Sequence, residues 1–382
     1  MFEKPVDLFC GECLSVIKEF EDNCIDSIVT DPPYGIKFMS KKWDYSVPSV
    51  DIWEECLRVL KPGGHLLSFG GTRTYHRLVV NIEDAGFEIL DQIQWIFGNG
   101  FPKSRYSLKP SNEPICLARK KYIGSIKDNI GVYNTGGLNI DDSRIATDDN
   151  IEFQEKKSDY IGIGTFTEKA ERKYSQNEDG RWPSNIILSH HPDCEFLGYK
   201  KVRNKSGSLS GLEPSKPGKN VYSQFDYRGS WIRHGDENGF ETIEDWKCHP
   251  ACPVRLMGNK ARFFYCSKAK KKDRDDGLNI SRPQFKHGML LSDCRNREFI
   301  GNFHETVKPT DLMKYLCRLV TQKDGVILDP FMGSGSTGRG AVMEGFNFIG
   351  IEIDKEYFEL AKSRINAAMR KRQMRLFDDI DV

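Results

Sequence analysis

Apolar positions in the first hundred residues fall into two alternating spacings. In CLSVIKEF (13–20) they recur three and four apart, the period of a helix with one buried face. CIDSIV (24–29) is short and mostly apolar, as a strand in a parallel sheet would be. Helical spacing returns in VDIWEECLRVL (50–60) and stops at Lys61-Pro62-Gly63-Gly64, after which HLLSF (65–69) reads as another buried strand. The rhythm resumes beyond residue 300. Residues 326–328 predict a strand, Phe331-Met332-Gly333-Ser334-Gly335 a glycine-rich turn, 336–344 a helix and 346–351 a further strand, with Glu352 at its end. Strands and helices in such alternation predict an α/β protein with a parallel sheet. Residues 101–300 are less regular, with an acidic polar stretch (DDSRIATDDNIEFQEKKSD) and a basic one (KVRNKSGSLSGLEPSKPGKN).

Composition narrows the class. A chain of 382 residues exceeds one small domain and suits a large core with an insertion, or two domains. Apolar residues make up 38%, and no apolar run approaches the roughly 20 residues that cross a bilayer. The start, MFEKPVDLF, lacks the layout of a signal peptide. Eleven cysteines, an odd number, fit a reducing compartment, so a cytoplasmic protein without a membrane span is expected. Net charge is only +1, but it is uneven: −7 over residues 1–100, +8 over 101–300 and 0 over the rest. A basic centre between less basic flanks is what a polyanion-binding insert would show.

Two stretches carry chemistry. After the strand at 24–29 comes Asp31-Pro32-Pro33-Tyr34. Two prolines cannot continue a ladder, so they set a carboxylate on a rigid shelf with an aromatic ring three residues on. The second stretch, GVILDPFMGSGSTGRGAVMEGFNFIGIEID, is a βαβ unit whose Glu352 follows Asp329 by 23 residues. That is near the spacing of about 20 at which an acid accepts ribose hydroxyls, while the glycines let the backbone approach a ligand.

FMGSG resembles the FxGxG cofactor motif of S-adenosylmethionine-dependent methyltransferases, and DPPY resembles the catalytic tetrapeptide of enzymes that methylate exocyclic amino groups of DNA bases. With the tetrapeptide early, the cofactor motif late and a long insert between, the chain resembles the β group of adenine-N6 and cytosine-N4 DNA methyltransferases. The likeness extends to LFCGECLSVIKEF, LRVLKPGGHLLSF, GFPKS, HETVKPTDLMKYL and GIEIDKEYFELA. It implies a doubly wound Rossmann-like sheet with circularly permuted motif order and a large irregular insert. Residues 1–100 would hold the catalytic half, 101–300 a target-recognition insert, 301–370 the cofactor-binding half and 371–382 a tail.

The resemblance also implies roles. Asp31 and the Pro32 carbonyl would accept the two hydrogens of the target amino group, with Pro33 fixing the turn, and turn its lone pair toward the methyl sulfonium. Tyr34 would stack on a base rotated out of the duplex. Glu12 (where relatives usually carry Asp), Lys308, Asp329, Phe331, Gly333, Gly335 and Glu352 would surround S-adenosylmethionine, with Lys308 at its carboxylate and Asp329 at its amine or as a loop anchor. Asp at the first position of the tetrapeptide points to adenine-N6. Cytosine-N4 is the alternative, and other classes are an RNA or protein-glutamine methyltransferase and an inactive DNA-binding protein.

Within the insert, KARFFYCSKAKKKDR sets Arg262, Lys268, Lys270, Lys271 and Lys272 beside Phe263, Phe264 and Tyr265, a candidate phosphate-contacting surface on double-stranded DNA. HHPDC and CHPAC supply His191, Cys194, Cys248 and Cys252 as a candidate structural zinc site, with His190 or His249 as substitutes for His191. In the tail, Gln373-Met374-Arg375-Leu376-Phe377 resembles the peptide that docks in bacterial sliding clamps. No nuclease motif is evident, so restriction would need a separate endonuclease.

Overall fold

The two spacings become the expected elements. The structure, a computed structural model, describes residues 5–37, 42–98, 100, 102, 104–145, 180–203, 240–267, 275, 276, 278 and 307–378. In chain order come β1 (Val6–Cys10), α1 (Cys13–Ile17), β2 (Ile25–Thr30), α2 (Val50–Val59), β3 (Leu60–Phe69), α3 (Tyr75–Asp84), β4 (Glu88–Ile96) and β5 (Asn112–Arg119). Next are α4 (Ile126–Tyr133), β6 (Ile186–Ser189), β7 (Glu195–Arg203), β8 (Phe240–Lys247), α5 (Pro253–Met257) and β9 (Tyr265–Ser267). The last are α6 (Thr310–Val320), β10 (Val326–Asp329), α7 (Ser336–Glu344), β11 (Asn347–Glu352) and α8 (Lys355–Asp378).

Among the described residues, nine strands form one sheet in the order β1-β11-β10-β2-β3-β5-β4-β6-β9. β5 runs against its neighbours β3 and β4, and the other pairings are parallel. The late strands β10 and β11 therefore sit between the early β1 and β2, as the permuted motif order requires. Alternate residues of the central strands feed two cores. Val29, Leu67, Ile327 and Phe348 pack with α6, α7 and α8 on one face. Their neighbours Ile28, Leu66, Leu328 and Ile349 pack with α1, α2 and α3 on the other. A sheet covered on both faces explains why its strands read as nearly unbroken apolar runs.

Two boundaries differ from the sequence reading. β3 begins at Leu60 and carries Lys61-Pro62-Gly63-Gly64 as an irregularity, since Ile25 pairs with Leu60 but Ser27 already pairs with His65. Gly63 has φ +79°, and a Cβ there would sit 2.5 Å from the Asn129 amide, so only glycine fits. The stretch 101–300, expected as one insert, is divided: β5, β6 and β9 complete the main sheet.

The chain separates into two units. The first comprises Met1–Ser143, Pro183–Cys194 and Cys248–Val382, and the second Arg144–Trp182 and Glu195–Lys247. Within the second, β7 and β8 form an antiparallel pair in which Phe196 packs on Trp246 at 5.1 Å between ring centroids. The expected tail is helical through Asp378, as the last turns of α8. Among the described residues, no helix is long and apolar enough to cross a membrane.

Candidate active site

Crossovers leave β2 and β10 toward opposite faces, so the carboxyl ends of these neighbouring strands open a crevice, the place where doubly wound sheets bind ligands. A cleft of about 1190 Å³ lies there within the first unit. Its walls include Asp31, Pro32, Pro33 and Tyr34 from the end of β2, and Asp329, Phe331, Gly333 and Glu352 from β10, its turn and β11. Glu12 and Lys308 complete this group. Residues about 300 apart in sequence are thus neighbours: Thr30 Oγ1 donates to Asp329 Oδ1 at 2.7 Å.

The tetrapeptide is held from several sides. Asp44 Oδ1, on a buried side chain, accepts from Tyr34 N at 2.7 Å and Gly35 N at 2.9 Å. Thr74 Oγ1 donates to the Tyr34 carbonyl at 2.5 Å. Gly35 has φ +65°, the left-handed turn that lets both N–H groups face one carboxylate.

Lys308, expected at the cofactor's carboxylate, lines the cleft and contacts the tetrapeptide. Its Nζ donates to Asp31 Oδ2 at 2.6 Å and lies 3.3 Å from Glu113 Oε2. Tyr34 donates its hydroxyl toward Asp31 Oδ1 at 2.8 Å and Glu113 Oε2 at 3.0 Å. Two carboxylates this close need a cation, and only 5% of Lys308 is exposed. Burial pulls the Lys308 pKa down, but Asp31 and Glu113 outweigh it and hold it above the usual lysine value. Burial, then the same two carboxylates, push the Tyr34 phenol well above its usual value, so its hydroxyl remains a donor.

The glycine-rich turn forms the other wall. Gly333 (φ 51°) and Gly335 (φ 76°) are left-handed, and a Cβ on Gly335 would meet Ala361 of α8 at 3.0 Å. Gly335 caps α7 from behind the loop rather than lining the cleft. Fully buried Arg364 fixes the turn from beneath, donating to both the carbonyl and the hydroxyl of Ser334. Glu352 accepts from Gly333 N at 2.7 Å and Asp354 N at 2.8 Å, and burial raises its pKa against those two bonds. Asp329 accepts from Phe331 N at 3.1 Å as well as from Thr30, which makes it a loop anchor. Burial pushes its pKa up to about 6, with hydrogen bonds from Thr337, Thr30 and Phe331 opposing and the Asp31 charge adding. Phe331 meets Trp53 edge-on at 6.3 Å. Glu12 caps α1, accepting from Leu14 N and Ser15 N at 3.0 and 2.8 Å, so both its oxygens already have backbone partners.

Glu113, Asp44, Thr74 and Arg364 gave no signal in the sequence, because each acts across a gap that no local pattern encodes. The candidate DNA surface is only partly visible. Arg262 donates to the Asn259 carbonyl and lies over Phe263 at 4.6 Å. Tyr265 belongs to the core, stacked on Tyr315 at 3.9 Å. Lys268, Lys270, Lys271 and Lys272 lie outside the described residues. At the candidate metal site, His190 rather than His191 joins Cys194, Cys248 and Cys252. His190 follows directly on β6, whereas His191 opens the turn closed by Cys194 N and stacks on His249 at 3.9 Å instead.

The chain is similar in sequence to known proteins. A family model described as DNA methylase matches residues 25–363. The type II methyltransferase M2.LlaDCHI of Lactococcus lactis subsp. cremoris is 44% identical over 113 residues, which is 30% of this chain and 40% of that protein. M2.MboI of Moraxella bovis is 49% identical over 61 residues, 16% of this chain and 22% of its own. These alignments thus span less than half of either relative. M.SfiI of Streptomyces fimbriatus is 23% identical over 400 residues, covering 92% of this chain and 88% of that one. Among solved structures, M1.HpyAVI in complex with SAM matches 94% of this chain and 99% of its own at 16% identity and a TM-score of 0.40. With its tetrapeptide and glycine turn side by side and the family model spanning most of its length, this chain belongs to the DNA methylase family.

Proposed function

We propose that this chain is a cytoplasmic, site-specific DNA methyltransferase that moves a methyl group from S-adenosylmethionine to the N6 amino group of an adenine flipped out of double-stranded DNA. One observation carries the reading: Asp31 and Pro32 share a single cleft with the glycine turn and Glu352. The turn, Phe331 and Glu352 would hold the cofactor, with Glu352 exchanging the Gly333 N–H for ribose hydroxyls. An aromatic amine is a poor nucleophile because its lone pair is delocalised into the ring. Asp31 Oδ1 and the Pro32 carbonyl would accept its two hydrogens and expose the lone pair to the sulfonium, so that orientation supplies much of the rate.

Tyr34 now occupies Asp31 Oδ1, while Lys308 occupies Oδ2. On base entry the Tyr34 hydroxyl would leave, its ring would stack on the adenine, and Lys308 would keep Asp31 oriented. Lys308 is therefore a positioning residue, and Asp31 is placed to receive the proton the amine sheds after methyl transfer. Aspartate at the head of the tetrapeptide favours adenine over cytosine-N4. A sliding-clamp contact through Gln373 and Phe377 rests on the peptide's sequence, and α8 would have to give up its last turns to present it extended.

The test is base-modification mapping of DNA from a methylation-deficient host expressing this chain or Asp31→Ala. N6-methyladenine at one recurring sequence, absent with Asp31→Ala, is the expected result. N4-methylcytosine would reverse the base, and neither mark, with cofactor binding intact, would overturn the DNA reading.

A further inference from the structure

Outside the cleft, among the described residues, a cluster of three cysteines and a histidine converges on a point that the proposed chemistry does not use. His190, Cys194, Cys248 and Cys252 each bring one ligand atom to within 4.8 Å of the others. His190 is 3% exposed and Cys252 is fully buried. The His190 Nδ1 lies 3.7 Å from Cys248 Sγ and 3.8 Å from Cys252 Sγ. A tetrahedral zinc with Zn–S of about 2.3 Å and Zn–N of about 2.0–2.1 Å would set sulfur and nitrogen about 3.6 Å apart. None of the described cysteines is in a disulfide.

The two ligand pairs come from loops with the same design. His190-His191-Pro192-Asp193-Cys194 and Cys248-His249-Pro250-Ala251-Cys252 both read ligand-His-Pro-x-Cys. In each, the nitrogen of the last cysteine donates to the carbonyl of the second-position histidine, at 2.9 Å for Cys194 and 3.0 Å for Cys252. In each, that histidine's Nδ1 accepts from the fourth-position N–H, at 3.2 Å from Asp193 and 3.2 Å from Ala251. His191 and His249, equivalent by position, stack on one another at 3.9 Å and 14°. His249 N also donates to Cys194 Sγ at 3.3 Å, the kind of N–H···S bond that stabilises a thiolate. Two like turns thus face each other and direct their first and fifth residues to one point.

The site is built on ordered backbone. His190 N donates to the Ser267 carbonyl at the end of β9, and Cys252 is the N-cap of α5. A Cβ on Gly98 would run into the Ala251 carbonyl, so the second loop packs directly on the segment following β4.

We propose that His190, Cys194, Cys248 and Cys252 bind one zinc ion in a closed Cys3His site. Three thiolates and an imidazole suit zinc, and four protein ligands leave no position for substrate, so the ion is structural. All four ligands belong to the first unit, and Cys194 and Cys248 flank the segment Glu195–Lys247 of the second. The metal joins the two ends of that segment, and its binding free energy offsets the entropy cost of bringing them together. The cysteines that bind release their protons on metal entry. This proposal is independent of the methyl-transfer reading and survives if that reading fails.

The test uses full-length, untagged protein from zinc-supplemented cells, dialysed against EDTA and analysed by elemental mass spectrometry. About one zinc per chain is expected, released on titration with an organomercurial. His190→Cys should keep the metal, His190→Ala should lose it, and Cys266→Ser and His191→Ala should keep it. Should His190→Ala fail to fold, cobalt(II) loading of the unaltered chain decides: a strong visible spectrum of tetrahedral cobalt with thiolate charge transfer supports the site, and a shift in His190→Cys identifies the imidazole. A weak octahedral spectrum, zinc far below one per chain, or a disulfide joining any two of the three cysteines would overturn the proposal.

Discussion

Asp44→Ala would test whether the tetrapeptide is held in place before any base arrives. One oxygen of this buried side chain serves the N–H groups of Tyr34 and Gly35, at 2.7 and 2.9 Å. Alanine would orphan both, at about 1–3 kcal/mol for each buried donor, or about 2–6 kcal/mol together. If half of that cost, about 1–3 kcal/mol, falls on the loop and not on the whole fold, single-turnover methylation should drop about five- to a hundred-and-fiftyfold. Cofactor affinity should change little, because Asp44 bonds to the tetrapeptide wall and not to the glycine turn. Asp44→Asn keeps the acceptor oxygen and should recover most of the rate. The assay is rapid-quench transfer of labelled methyl to saturating DNA, with urea unfolding of each variant in parallel. A wild-type single-turnover rate in Asp44→Ala with unchanged stability would refute the reasoning, and so would an Asn variant as impaired as the Ala variant.

Two further outcomes are expected. Lys308→Met leaves the part-buried Asp31 and Glu113 facing each other across the Tyr34 hydroxyl, and loss of their buried cation should cost up to about 3 kcal/mol in urea unfolding. Glu113→Gln in the same chain should restore part of that loss, whereas additivity of the two changes to within about 0.5 kcal/mol would mean the groups do not act together. Asp329, with its pKa raised from 3.8 to about 6, binds its proton more tightly when folded. Its stabilisation is therefore complete below pH 3.8 and is lost as pH rises through about 6. Asp329→Asn retains the oxygen that Thr30 and Phe331 donate to and removes the titration. In cofactor-free unfolding, the stability of Asn relative to Asp should then rise by up to about 3 kcal/mol between acid and neutral pH, and a pH-independent difference would contradict the raised pKa.

How far the sequence carried the reading depended on the range of the interaction concerned. Apolar period and residue type are local, so β2, α2, β10, α7 and β11 were legible, as were the shelf at Asp31-Pro32-Pro33 and the glycine-rich turn at Gly333 and Gly335. Proline fixes its own φ wherever it stands, and glycine permits the left-handed turn that other residues resist. The His-Cys and Cys-Cys loops at 190–194 and 248–252 could likewise be seen, but not which histidine turns inward, because His190 and His191 are adjacent and of one type. Strand order is not local. Only the folded sheet put β10 beside β2, brought Lys308 to Asp31 across 277 residues, and set Glu113 of an antiparallel strand opposite Tyr34. Residue types and turns were therefore determined by the chain itself. The partners of each charge were decided by tertiary structure, because a buried charge takes whichever opposite group the packing brings within reach.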